Sequence, residues 1–244
     1  GLGNRGNDIY GNYEFVSPEE LKVVAIAEPL KEKRECAKKR YKLEDAQCFE
    51  TAEEMLKMPQ LADVMVIATQ DRQHVDQAVK AVQKGYHVLC EKPISPSASE
   101  CRRLQDAAHK YNRIVAVGHV LRYTPFYSKI KELVDSGRIG EIVSIQAMEN
   151  VTYWHQAHSY VRGNWRDSEE TSPMILAKSC HDCDIFAWLI GKKCQKVSSF
   201  GSLSHFRADQ APEGAAMRCL DGCKVKENCP YDAEKIYITN KRTG

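Results

Sequence analysis

Gly85-Tyr86-His87-Val88-Leu89-Cys90-Glu91-Lys92-Pro93 is the stretch whose reading decides the fold. A short apolar run, Val88-Leu89-Cys90, is bounded upstream by a glycine and downstream by a charged pair and a proline. Apolar runs bounded in this way read as buried strands. Glu91-Lys92-Pro93 then stands at a strand's carboxyl end, where open α/β sheets take their ligands. A lysine held there by proline and partly desolvated is a candidate acid/base. The alternative is a solvated Glu–Lys pair at a strand exit.

The flanking sequence repeats the strand pattern with helices between. Asp63-Val64-Met65-Val66-Ile67-Ala68-Thr69 reads as a strand, and Arg72 to Lys84 as an amphipathic helix closed by Gly85. Beyond Pro93, Ser95-Pro96-Ser97-Ala98-Ser99-Glu100 is a helix start, with proline and hydroxyl caps ahead of a glutamate. That helix runs to about Tyr111, and the strand Ile114-Val115-Ala116-Val117 follows, ending in Gly118-His119. Thr124 to Ser136 reads as a further helix capped by Gly137. Strands alternating with helices of this length predict βαβ units in a doubly wound parallel sheet.

The sequence opens with Gly1-Leu2-Gly3-Asn4-Arg5-Gly6, a G-x-G-x-x-G pattern. Its glycines permit a tight turn and close backbone approach, so a pyrophosphate can rest on the amides of this segment, Asn4 and Arg5 included. Leu21-Lys22-Val23-Val24-Ala25-Ile26-Ala27 reads as a strand ended by Glu28, 22 positions after Gly6. An acidic residue at about 20 positions accepts the adenosine ribose hydroxyls and repels a 2′-phosphate. The expected cofactor is therefore NAD rather than NADP; the alternative for Glu28 is a solvated strand-end carboxylate. A strand normally leads into such a glycine turn, and here the sequence begins at Gly1. The expectation is of further residues ahead of it.

After Gly140 the pattern changes. Glu141 to Ala147 and Lys196 to Leu203 read as strands, with a polar aromatic segment, Tyr153 to Arg166, and a strong helix, Pro173 to Ile190, between them. This predicts an α+β second domain, with units spanning residues 1–122 and 123–244. A chain of 244 residues accommodates two such domains. A net charge of +2 without basic runs argues against a nucleic-acid partner. No stretch has the length of an apolar membrane span, and no secretory signal is visible. Ten cysteines outside a small secreted framework suggest a reducing, cytoplasmic setting.

The glycine turn, Glu28-Pro29, Thr69 with His74, Glu91-Lys92-Pro93, Gly118-His119-Val120-Leu121-Arg122-Tyr123-Thr124-Pro125 and a helix carrying Cys180-His181-Asp182 follow in this order. Together they resemble the glucose–fructose oxidoreductase / inositol dehydrogenase (Gfo/Idh/MocA) family, up to about Phe200. The Glu-Lys-Pro element combined with Arg-Tyr-x-Pro is the most specific part. The resemblance implies an N-terminal Rossmann domain, and a C-terminal domain whose largely antiparallel sheet often mediates homodimers or homotetramers. It also implies reversible oxidation of a sugar or cyclitol hydroxyl by a nicotinamide cofactor. Family members run longer, which implies residues beyond both ends. On the same basis Gly1, Gly3, Asn4, Arg5, Gly6, Glu28, Thr69, His74, Glu91 and Lys92 are expected at the cofactor. Arg122 is expected to link the domains near the substrate.

Oxidising a secondary alcohol needs a hydride acceptor, which the cofactor supplies, and a group that takes the hydroxyl proton. Lys92 and His181 match the family's lysine and histidine. His181, with a free pKa near neutral, is the expected principal acid/base, and Lys92 positions the substrate and shares the proton. The alternative for His181 is a packed helix histidine. Many members carry an aspartate four residues before that histidine; here the position is Ala177, followed by Lys178. Lys178 and His181 are neighbours on a helix, so the ammonium would depress the histidine's pKa and could hold a substrate hydroxyl. Equally, Lys178 could pair with Asp182 on a solvated face. Tyr153 to Arg166, with His155 and Trp165, offers apolar ring faces and hydrogen bonds to a polyhydroxylated ring, or else packs the domains. Cys219, Cys223 and Cys229 match no standard metal spacing, and no metal is expected. Three readings remain open: an NAD-dependent sugar or cyclitol dehydrogenase, which the residues favour; a glycoside hydrolase or lyase with transient oxidation; and a non-catalytic NAD or sugar sensor.

Overall fold

The computed structural model describes residues 1–239. Three parallel strands, β3 (Val64–Ile67), β4 (His87–Cys90) and β5 (Val115–Val117), lie side by side in that order. Their register pairs Val64 with His87 and Val88 with Val115. A second parallel pair joins β1 (Ile26–Ala27) to β2 (Cys48–Phe49). The longer α-helices are α1 (Lys31–Tyr41), α2 (Ala52–Lys57), α3 (His74–Gln83), α4 (Ala98–Lys110), α5 (Pro125–Asp135) and α6 (Met174–Ile190).

The main core explains this order. Val75, Ala78, Ala81 and Val82 recur at helical spacing on α3 and are all buried, against Ile67, Val88 and Cys90 of the sheet and Leu104 and Ala107 of α4. Small alanines let α3 sit close to both layers. Gly85 ends the helix at φ +101°, a conformation that a side chain resists, and turns the chain directly into β4. Thr124 caps α5 by accepting from the Tyr127 amide, with Pro125 in the first turn. Gly191 closes α6 in the left-handed region.

Several expected elements differ. The strand expected over Leu21 to Ala27 is paired only at Ile26–Ala27. The hydroxyl cap expected before α4 is not made: Ser97 bonds Ser99 Oγ, and its side chain takes no helix amide. The segments 141–147 and 196–203 keep their alternating composition but form no strand, because no neighbouring strand lies alongside them among the described residues. No helix among the described residues is long and apolar enough to cross a membrane. Residues 240–244, within the second expected domain, lie outside the described part.

Candidate active site

The glycine turn packs where its sequence requires. A side chain at Gly1 would put Cβ 2.6 Å from the Ala68 carbonyl oxygen, and one at Gly6 would strike the Gly1 carbonyl. Gly3 instead faces open space, beside a groove of about 460 Å³ bordered by Leu2, Asn4, Glu32 and Lys33. Two glycines thus close the turn, and the third leaves its backbone open to a ligand, which is the arrangement a pyrophosphate needs. The expected acid lies at the same place: buried Glu28 follows β1 and accepts the Leu2 amide at 2.8 Å and the Leu30 amide at 3.2 Å. The turn and the acidic strand end fit a dinucleotide.

β4 delivers Glu91 and Lys92 side by side. Glu91 is buried; its carboxylate accepts from the Tyr10 hydroxyl at 2.7 Å and from the Lys92 amide at 3.0 Å, and pairs with Arg5 at 3.7 Å. These contacts tie the segment after the glycine turn to the strand end. His74, the first residue of α3, is fully buried between two backbone carbonyls, Pro93 O at 2.9 Å and Thr69 O at 3.1 Å. Its ring therefore supports the loop that presents Lys92 from behind. Thr69 donates to Gln77 at 2.8 Å.

Lys92 reaches across to the second half of the chain, where its ammonium donates to the main-chain carbonyl of Ala177 at 2.9 Å. That contact sets Lys92 against α6, on which Lys178 and His181 follow within one turn. His181 Nδ1 is buried without a hydrogen-bond partner in the protein. Burial, and then the nearby Lys92 cation, lower the His181 pKa from its usual range to about 4. Burial first and Lys92 second also hold the Lys178 ammonium below its ordinary pKa. His155 is lowered by burial and then by Lys178 and Lys92. Lys92 thus bears on Lys178, His155 and His181 alike, whereas the expected influence of Lys178 falls on His155 and not on His181. The Lys178–Asp182 ion pair allowed by helix spacing is not formed.

Arg122 reaches from the segment after β5 to α6. Its Nε donates to Asp184 Oδ2 at 2.7 Å, and a second guanidinium nitrogen donates to Oδ1. His119 Nδ1 lies 3.2 Å from the same carboxylate, and its ring meets His181 edge-on with centroids 5.8 Å apart. Asp184 stands in no motif of the sequence, and His119 stands in the Gly118–Pro125 stretch without a role that its neighbours reveal. The signal available was spacing: Asp184 lies three residues beyond His181, on the same helical face. Trp165 donates its indole N–H to Asp71 at 3.1 Å, and buried Ser172 donates to the same carboxylate. Asp71, just after β3, was also missed. His155 stacks on Tyr160 at 6.0 Å, and Tyr160 lies 6.4 Å from Trp165, so the polar aromatic segment forms a continuous wall.

A parallel sheet, an open glycine turn and an acid at the end of β1 define a dinucleotide-binding protein of the Rossmann class. The profile described as an oxidoreductase family with an NAD-binding Rossmann fold matches residues 1–119, and its C-terminal alpha/beta domain matches residues 131–228. The chain belongs to this Gfo/Idh/MocA family, and its N-terminal half is the NAD-binding domain. It is 31% identical over 173 residues to YteT of Bacillus subtilis, covering 69% of this chain and 40% of that protein. It is 32% identical over 132 residues to inositol 2-dehydrogenase 2 of Saccharopolyspora erythraea, covering 54% and 36%. Among solved structures, apo scyllo-inositol dehydrogenase from Lactobacillus casei superposes with a TM-score of 0.57 at 26% identity, over 70% of this chain and 48% of that one. The chain thus spans half or less of the length of these relatives.

Proposed function

We propose that this chain belongs to an NAD-dependent dehydrogenase that oxidises a hydroxyl-bearing carbon of a sugar or cyclitol. The observation that carries this reading is the meeting of Lys92, at the end of β4, with α6 and its buried, unpartnered His181. Bound NAD supplies the hydride acceptor. Gly1, Gly3, Asn4, Arg5 and Gly6 cradle its pyrophosphate, Glu28 takes its ribose hydroxyls, and Thr69 and Glu91 shape the nicotinamide end with His74 behind them. The boundary between cofactor and substrate domains falls at residue 122, where Arg122 spans to α6.

A substrate hydroxyl satisfies the orphaned His181 nitrogen, and Lys92 donates a second hydrogen bond to the same oxygen. With its pKa near 4, His181 is neutral at neutral pH and free to accept the proton. Lys92 favours the developing alkoxide through charge. The aromatic wall of His155, Tyr160 and Trp165 offers faces for the sugar ring. Inositol 2-dehydrogenases among the relatives support the substrate class. The test is nicotinamide absorbance at 340 nm during incubation with NAD and a panel of sugars, cyclitols and glycosides, with Lys92→Met as control. NADH formation that drops at least 100-fold in the variant supports the reading. Glycoside cleavage without net NADH would move the protein to the transient-oxidation class, and NAD binding without turnover to the sensor class.

A further inference from the structure

We propose that the site around Lys92 and Lys178 takes a sugar carrying an anionic group, a carboxylate or phosphate, which Lys178 binds while Lys92 and His181 hold the reacting hydroxyl. The proposal rests on the dehydrogenase reading above and names its substrate class.

The charge distribution carries it. Lys92 and Lys178 converge on the start of α6, yet among the described residues neither ammonium forms an ion pair. Lys92 bonds a neutral main-chain carbonyl, and half-buried Lys178 has no hydrogen-bond acceptor. The carboxylates that could neutralise them are committed elsewhere, Glu91 to Tyr10 and Arg5, and Asp184 to Arg122 and His119. One helical turn before His181, where a carboxylate would face Lys92, the chain places the buried methyl of Ala177. The remaining acid in range of Lys178, Glu149, sits on an exposed segment.

Two half-buried cations beside two histidines are costly to hold together without a counter-charge. An anion delivered by the substrate removes that cost, whereas a neutral polyol leaves it in place. The hydrogen bonds it would accept are charge-assisted, the stronger kind. The ring of such a substrate has the His155–Tyr160–Trp165 wall to lie against, so the recognised molecule is a ring bearing an anion rather than a free ion.

The test is calorimetric titration of the NAD-loaded chain with galacturonate and glucuronate, with glucose 6-phosphate, and with the neutral parent sugars and myo-inositol. The expected result is that one anionic arm binds at least tenfold more tightly than its neutral parent; which arm does so distinguishes carboxylate from phosphate. That margin should disappear in Lys178→Met and return in Lys178→Arg, with both variants melting cooperatively. Equal affinity for charged and neutral sugars, a margin that survives Lys178→Met, or no sugar binding would each overturn the proposal. So would a tenfold loss of NAD affinity in Lys178→Met, which would assign the ammonium to the cofactor. NADH formation from neutral cyclitols alone would uphold the dehydrogenase reading and overturn this one. Absence of NADH from every polyol would overturn the dehydrogenase reading, while the titration would still decide the anion preference.

Discussion

Asp184 is the residue on which the two halves of the site lean most directly, and its removal is the most informative perturbation. Its carboxylate, 11% exposed, receives a forked pair of hydrogen bonds from Arg122, itself 36% exposed, and a further contact from His119. Hydrogen bonds to charged groups contribute about 1.5–3 kcal/mol. The exposure of Arg122 screens part of this, which puts the pair's coupling near the lower bound, at about 1.5 kcal/mol. Asp184→Asn keeps the shape, removes the charge and leaves the guanidinium half-desolvated, so its total cost is about 2–3 kcal/mol. For a chain of this size that corresponds to a melting temperature lower by about 5–10 °C. The assay is a double-mutant cycle in urea using Asp184→Asn, Arg122→Met and both together, at one pH and without NAD. The cation–π contact of Arg122 with Trp188, at 5.6 Å, is lost equally in both arms and cancels. Because α6 also carries His181, turnover of Asp184→Asn should fall about tenfold. A coupling below about 0.5 kcal/mol would refute the claim that this pair fixes α6 to the loop after β5.

Four further outcomes are expected. His181 has a folded-state pKa of about 4, below its ordinary value, so it contributes stability above pH 6.5 that is lost as the pH falls toward 4. The acid limb of kcat/KM should accordingly lie near 4 rather than 6.5, and the imidazole titration followed by NMR should move upward in Lys92→Met. Gly3→Ala should fold with stability within about 0.5 kcal/mol of the parent while weakening NAD binding at least tenfold, read by fluorescence titration. Gly6→Ala, which meets the Gly1 carbonyl, should lose both stability and NAD binding in the same assays. Asp71→Ala leaves the Trp165 and Ser172 donors unpaired in a buried setting; urea denaturation should show a loss of about 2–4 kcal/mol, with a red-shifted tryptophan emission.

How far the sequence alone carries can be argued from individual residues. β4 was legible to the residue because its apolar run is bounded by turn chemistry on both sides and paired on both edges. α3 and α6 were legible because a long helix satisfies its own backbone and displays its period. The strand before Glu28 shrank to Ile26–Ala27, and the alternating segments after Gly140 formed none. A strand exists only where another lies beside it, which a local pattern does not encode. In the site, Lys92, His181 and Arg122 carried distinctive neighbours in the chain. Asp184 and Asp71 did not, and His119, though it shares the Gly118–Pro125 stretch with Arg122, takes its role like them from a partner far along the chain, at separations of 62, 94 and 65 residues. Helix spacing allows Lys178 to face either His181 or Asp182, but neither contact forms, and the histidine's lowered pKa follows burial and Lys92 instead.

The bond from Lys92 to the carbonyl of Ala177 ends on main chain, so its acceptor survives any change of side chain at that position that the helix tolerates. Placement of the lysine is thereby separated from the chemical character of residue 177. Small side chains, serine or aspartate among them, could be exchanged there to retune what the site admits while the lysine stays anchored. The site is modular at this point: one atom of the backbone serves as a fixed mount, and the adjoining side chain is an interchangeable fitting for engineering substrate choice.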